Sequence, residues 1–169
     1  MAKNAQHTYH YRAIIEGDWP TILRIQSEVY YDFSPESEAV MRSKANRGYA
    51  TSLVALDHNS AVVAYCLAYP YAADRIAALG AVDASPITPS DNLFVHDLAV
   101  QKASAGRGVA QAMFGHLLTI ARGAGYRTLS LVAVQQAASF WTKMGFTTST
   151  QATINDSYTG AASFMIRDL

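Results

Sequence analysis

The sequence predicts a mixed α/β (α+β) domain, on three observations. Runs rich in β-formers alternate with segments whose apolar residues recur at helical spacing. Cap residues, glycines and prolines punctuate those runs where elements should begin and end. The chain has 169 residues, 50% apolar and 15% charged, enough for one full core and too apolar for disorder.

The elements follow in order. Tyr9 to Ile15 (YHYRAII) reads as a first strand. Asp18-Trp19-Pro20 offers a cap with proline in the first turn, and Ile22, Leu23 and Ile25 continue a helix. Ser34-Pro35-Glu36-Ser37-Glu38 opens a second helix that should end near Gly48. Strands Thr51 to Leu56 and Ala61 to Tyr69 are joined by Asp57-His58-Asn59-Ser60, a hairpin signal. Residues 70–91 hold Gly80, Pro86 and Pro89 and read as a long loop, a kind that is usually functional. Leu93 to Val100 (LFVHDLAV) is apolar on both sides, as a central strand covered on both faces should be. Gln101 to Gly108 leads into a helix from Val109 to about Arg122, with Val109, Met113, Leu117 and Ile120 on its buried side. Thr128 to Val134 is a strand and Ala137 to Met144 a helix stopped by Gly145. Phe146 to Ile154 and Ala161 to Ile166 are expected as the last two strands.

Thirteen basic residues balance thirteen acidic ones, which argues against nucleic acid or an anionic membrane as partner. One cysteine, Cys66, excludes an internal disulfide and a multi-cysteine zinc site, and no metal is expected. The longest mostly apolar uncharged run, Ala61 to Ala73, is shorter than the about 20 residues a membrane span needs. Met1 to Gln6 lacks the apolar core of a signal peptide, so a soluble cytoplasmic protein is expected.

The most informative stretch runs from Val100 to Ala110, a strand end entering a helix through Gly106-Arg107-Gly108. Helix starts carry unpaired N–H groups and partial positive charge, so they hold phosphate by backbone alone. A Walker A loop would need Gly-Lys-Ser/Thr, yet Gly108 is followed by Val109-Ala110. A dinucleotide fingerprint would need a third glycine at Gln111 and an acidic residue about 20 positions on. A short G-x-G-x-A phosphate loop remains, beside an ordinary tight βα turn.

Leu98-Ala99-Val100, the Gly-Arg-Gly-Val-Ala loop and Phe140-Trp141-Thr142-Lys143-Met144-Gly145-Phe146 together resemble the GNAT N-acetyltransferase superfamily. His96, two residues before Leu98-Ala99-Val100, resembles its aralkylamine-type members. The resemblance covers nearly the whole chain, so residues 1–169 are expected to form one N-acetyltransferase domain. It implies a central sheet splayed between strands four and five, flanked by helices, and acetyl-CoA as co-substrate. It places the diphosphate on amides of Ala105, Gly106, Arg107, Gly108, Val109 and Ala110, and the pantetheine arm along Leu98, Ala99 and Val100. Ser139 and Trp141 complete the implied coenzyme set, and the Leu98 N–H would stabilise the oxyanion. Three positions depart from the family pattern. Ala105 replaces the loop's usual arginine or glutamine, and Val134 replaces an asparagine for which Gln135 or Gln136 could substitute. Trp141 replaces the tyrosine that protonates the leaving thiolate, and an indole is no general acid.

An attacking amine must lose a proton, and His96 is the candidate base. Simple alternation places His96 on one face with Phe94, Leu98 and Val100, and Asp97 on the other in a structural role. The alternative for His96 is a core histidine bonded to a backbone carbonyl. Tyr30, Tyr31, Asp32, Phe33 and Tyr71, with Tyr69, offer aromatic and acidic character for a small primary amine, aromatic ones included, although packing would also explain them. Cys66, mid-strand, reads as core. The expected activity is acetyl transfer by direct attack on such an amine, in a protein free to homodimerise. The rivals are a non-catalytic acyl-CoA-binding module and a protein lysine or N-terminal acetyltransferase, which would need an open groove.

Overall fold

The computed structural model describes residues 8–30, 34–158 and 160–169. The strands are β1 (His10–Ala13), β2 (Leu53–Leu56), β3 (Val62–Pro70), β4 (Asn92–Val100), β5 (Thr128–Ala133), β6 (Thr147–Thr148) and β7 (Ser163–Asp168). The helices are α1 (Trp19–Val29), α2 (Glu38–Arg47), α3 (Val109–Gly123) and α4 (Ala138–Lys143). One sheet runs β1-β2-β3-β4-β5-β7-β6. All its pairs are antiparallel except β4 with β5, which run parallel because α3 crosses over between them.

Helices cover both faces. Trp19, Ile22 and Ile25 of α1 and Met41 and Ala45 of α2 pack on Val54, Tyr65, Leu67 and Ala99. On the opposite face Val109, Met113, Phe114 and Leu117 of α3 and Trp141 of α4 pack on Leu93, Val95, Leu129 and Leu131. β3 and β4, lying between two layers, are therefore buried over most of their length, as an uninterrupted apolar run requires. The start of β4 is pinned by buried Asn92, whose amide donates to Ser130 Oγ at 2.8 Å and to the Tyr71 carbonyl at 2.9 Å.

Several boundaries differ from the sequence expectation. α2 begins at Glu38, capped by Ser37, whose Oγ accepts from the Val40 N–H, so Glu36 stays outside the helix. β2 starts late because the Thr51 and Ser52 hydroxyls turn inward onto the Ala68 carbonyl. β1 is trimmed to four residues. The largest correction concerns residues 146–154. Only Thr147–Thr148 form a strand, and beyond the Ser149 N–H bond to Phe164 the chain leaves the sheet edge. Its threonines favour a strand, but tertiary contacts further on override that preference.

Gly48 ends α2 where backbone passes very close. A Cβ there would lie 1.9 Å from the Ala68 carbonyl oxygen, a collision with main chain that no rotamer relieves. Gly48→Ala is expected to lower unfolding stability by roughly 3 kcal/mol, the upper part of the overpacking range. Urea unfolding measures it, and an unchanged midpoint would contradict the close approach.

Candidate active site

β4 and β5 pair only from Asn92 to Val95 on one strand and Thr128 to Leu131 on the other. Beyond that point β4 stays with β3, while β5 stays with β7 as far as Ala133. The strands part, and the gap opens into a cavity of about 190 Å³. Its apolar wall includes Val95, Leu98, Leu131, Val132 and Trp141, and its polar wall includes Tyr30, Glu36, His96, Asp97 and Tyr158.

A β-bulge sets the chemistry of the polar wall. Leu67 pairs with Asp97 and Ala68 with Val95, so His96 is the extra residue on β4. Leu93 and Val95 face α3 before the bulge, and Leu98 and Val100 face it afterwards. Phe94, His96, Asp97 and Ala99 are left toward the α1–α2 side. This corrects the expected alternation: His96 does not share a face with Leu98 and Val100, and Asp97 does not point away from it.

On that side three ionisable groups meet. Lys44 Nζ lies 2.8 Å from Glu36 Oε1, 2.8 Å from the Ala78 carbonyl and 3.0 Å from His96 Nε2. His96 Nε2 is also 2.8 Å from Glu36 Oε2, and Oε1 accepts from the Gly80 N–H at 2.8 Å. The side chains of Lys44 and His96 are each 1% exposed and that of Glu36 4%, so water screens these contacts little. His96 Nε2 thus lies between a carboxylate and an ammonium, not against a backbone carbonyl. Burial alone would raise Glu36, but the His96 hydrogen bond and the charges on His96 and Lys44 outweigh it and bring the carboxyl down to about 2. Burial pulls Lys44 below its ordinary value, with Glu36 opposing.

A carboxyl lowered by folding contributes stability above its unfolded value that is lost as pH falls through the folded one. The Glu36 contribution should therefore disappear between pH 4.5 and about 2. Thermal melts across that range are expected to fall more steeply for the wild type than for Glu36→Gln; parallel curves would contradict the pairing.

Asp97 accepts from Tyr65 Oη at 2.5 Å and from Tyr30 Oη. Burial raises its carboxyl, only partly offset by those two hydroxyls. Asp97 ties the end of α1 to β3. Tyr30 lines the cavity, but Tyr71 packs beside Tyr69 and Phe94, outside the cavity lining. Tyr31, Asp32 and Phe33 lie outside the described residues. Cys66 is fully buried in β3, and burial pushes its thiol well up, which unsuits it as a nucleophile.

The glycine loop stands at the start of α3. Gly106 and Gly108 have φ of 73° and 76°, the left-handed region that favours glycine, and a Cβ on either would meet nothing within 4 Å. Among the described residues no side chain caps this 15-residue helix and no acidic residue sits in its first turn. Its first amides are thus donors without intrahelical partners. The residues fit acetyl-CoA: anionic phosphates suit this helix start, and the splayed strands leave room for a slender acyl-bearing arm. Arg107, Ser139 and Lys143 are exposed, and Ser139 does not line the cavity. Trp141 does, packed edge-on against Phe114 and Phe146.

Residues 76–79 and 155–158 clasp each other beside the cavity. The Leu79 N–H donates to Ser157 Oγ at 2.9 Å, Tyr158 Oη to the Ala77 carbonyl at 3.0 Å, and Asn155 Nδ2 to the Ile76 carbonyl at 3.3 Å. Leu79 and Tyr158 then line the cavity. This clasp draws the chain off the sheet after β6. Across the mouth, Gln135 donates to the Val29 carbonyl at 3.0 Å from a backbone with φ of 50°, joining the end of β5 to α1. Glu36, Lys44, Leu79 and Tyr158 were not singled out in the sequence as site residues; Glu36 served there only as part of a helix-start signal.

A mixed sheet parted beside an open helix start is the architecture of an acyl-CoA-dependent transferase. The chain belongs to the GNAT acetyltransferase family, whose model, Acetyltransferase (GNAT) family, matches residues 19–146, and it is by that membership an acetyl-CoA-dependent acyltransferase. Solved structures share the fold. Ard1 from Thermoplasma volcanium is 17% identical with a TM-score of 0.75, over 95% of this chain and 97% of that one. The ribosomal-protein-S18-alanine N-acetyltransferase from Escherichia coli is 17% identical with a TM-score of 0.66, over 95% and 94%. A phosphinothricin acetyltransferase from Sinorhizobium meliloti, in complex with AcCoA, is 18% identical with a TM-score of 0.67, over 96% and 89%. No curated protein sequence matches significantly. Since these folds serve different acceptors, the acceptor has to be argued from the site.

Proposed function

We propose that this protein transfers the acetyl group of acetyl-CoA directly to a small primary amine, as aralkylamine-type family members do. The observation that carries this reading is the clasp of residues 76–79 on 155–158, which roofs the acceptor side where a protein substrate would need an open groove. Tyr30 and Tyr158 give the cavity aromatic surface for an amine with a ring, and Asp97, held by two tyrosine hydroxyls and not by a lysine or arginine, gives it negative charge to attract a cation.

Acetyl-CoA supplies the activated acyl group as a thioester. Amides of residues 105–110 hold its diphosphate, and Leu98, Ala99 and Val100 align its arm along the stretch of β4 that β5 has left. The Leu98 N–H is offered to the carbonyl oxygen as negative charge develops on it, and such a preset donor is worth a few kcal/mol. His96 takes a proton from the acceptor ammonium, freeing the nitrogen lone pair that forms the new C–N bond as the C–S bond breaks. The sulfur leaves with the bonding pair and takes up the second amine proton. Trp141 cannot supply that proton. A thiol pKa of about 8.5 allows the sulfur to depart near neutral pH without an acid.

The absence of an acid at Trp141 also favours a second reading, a module that senses acyl-CoA without turnover. Thiol release measured with acetyl-CoA against a panel of aryl- and alkylamines and of peptides separates the readings. Release with one or more small amines and none with peptides is expected. Release with peptides alone would establish a protein acetyltransferase, and coenzyme binding with no release would establish the sensor.

A further inference from the structure

Building on that assignment of His96 as proton acceptor, we infer that Glu36 and Lys44 are positioning residues that keep the imidazole proton on Nε2 and leave Nδ1 bare as the basic atom. Nε2 stands between Glu36 Oε2 at 2.8 Å and Lys44 Nζ at 3.0 Å. Nδ1 is buried without a hydrogen-bond partner among the described residues. If the ring moves a proton, it does so through Nδ1.

A neutral imidazole carries one proton, and its two placements are unequal here. With the proton on Nε2, the ring donates to the Glu36 carboxylate, and the atom left over is a lone pair. Lys44 keeps two full-strength acceptors, Glu36 Oε1 and the Ala78 carbonyl, each at 2.8 Å, while its third proton faces the Nε2–H at 3.0 Å. With the proton on Nδ1, Nε2 accepts the third Lys44 proton at 3.0 Å, but a buried N–H is left with no acceptor among the described residues, and Nε2 and Oε2 confront each other at 2.8 Å as two lone-pair atoms. An unpaired buried donor costs more than an unpaired acceptor, and the facing lone pairs at 2.8 Å are closer than the two facing donors at 3.0 Å. The first placement wins.

Glu36 and Lys44 then act in opposite senses on the second proton. The carboxylate favours imidazolium and the ammonium opposes it, from nearly equal distances. Among the described residues, the other titratable groups around the ring are Tyr69 on β3, Asp97 next along β4 and Tyr158 across the cavity. Burial keeps both tyrosines protonated at neutral pH. Further out, Arg47 and Asp83 face each other at 3.7 Å. In turnover the acceptor ammonium gives its proton to Nδ1, the resulting imidazolium keeps its Nε2–H on Glu36, and the Nδ1 proton is later returned to solvent.

The test is long-range proton–nitrogen correlation NMR on ¹⁵N-histidine-labelled wild-type protein near pH 8, with His96 assigned by its absence from His96→Ala. A protonated Nε2 beside a bare Nδ1 is expected; a proton on Nδ1, or on both nitrogens, overturns the inference. The kinetic arm is the acid limb of kcat/KM for the acceptor amine. Glu36→Gln should move it to lower pH and Lys44→Met to higher pH, each by about one unit or more. A merely structural pair would lower the plateau and leave the limb in place, and that result, or shifts of the same sign, overturns the inference. If Lys44→Met does not fold, the wild-type spectrum decides. Full turnover by His96→Ala would instead remove the base assignment itself, even with the tautomer as stated.

Discussion

Replacing Gly108 by aspartate is expected to abolish acetyl-CoA binding, with Kd rising about 100-fold or more, while the fold stays in place. A Cβ at this position meets no protein atom within 4 Å, so the side chain starts in open space. The backbone at φ 76° is one that aspartate adopts with less strain than most residues. What changes is the electrostatics of the α3 start. A carboxylate beside those amides competes for the donors and repels a diphosphate, and juxtaposed like charges cost several kcal/mol. Gly108→Ala separates the two effects, since it carries the left-handed backbone cost of about 1–2 kcal/mol without the charge. Calorimetry with acetyl-CoA on both variants, beside thermal melts, reads the outcome. Tight binding by Gly108→Asp would remove residues 105–110 from the coenzyme site.

That loop was legible in the sequence because everything it needs is local: a strand end, two glycines and a helix start within a few positions. The order of elements was legible for the same reason, since periodicity and caps are written residue by residue. The acid–base cluster was not. Lys44 contacts Glu36, Ala78 and His96, groups 8, 34 and 52 positions away along the chain, and no window of the sequence brings them together. In isolation Lys44 is a charge on a helix rich in charge, and charged helix faces are ordinarily solvated. Glu36 looks like part of a cap because Ser34-Pro35-Glu36-Ser37-Glu38 offers several start signals, and only packing selects Ser37. The bulge at His96 has no glycine to mark it, so strict alternation put His96 and Asp97 on opposite faces. Residues 146–154 mislead in the other direction. Their threonines favour a strand, but the clasp over the cavity holds the chain away from the sheet edge.

Replacing His96 by alanine is expected to lower kcat by about 100-fold near neutral pH, the usual share of a general base. The acetyl-CoA KM should change little, because the loop and the outer part of β4 do not depend on the imidazole. The loss follows from ring chemistry more than from packing: Glu36 and Lys44 still hold each other at 2.8 Å when the ring is gone, so the variant retains a paired cluster instead of a stranded charge. His96→Gln sharpens the reading. Its amide can still donate to Glu36 and fill most of the space, yet it cannot accept a proton at neutral pH. A base predicts that glutamine is as slow as alanine, whereas a residue needed only to shape the cavity would regain most of the rate with glutamine. Steady-state kinetics at saturating acetyl-CoA and amine decide it. Near-normal turnover in both variants would mean that the acceptor loses its proton to another group or to water, and that the imidazole serves the fold of the β4 bulge alone.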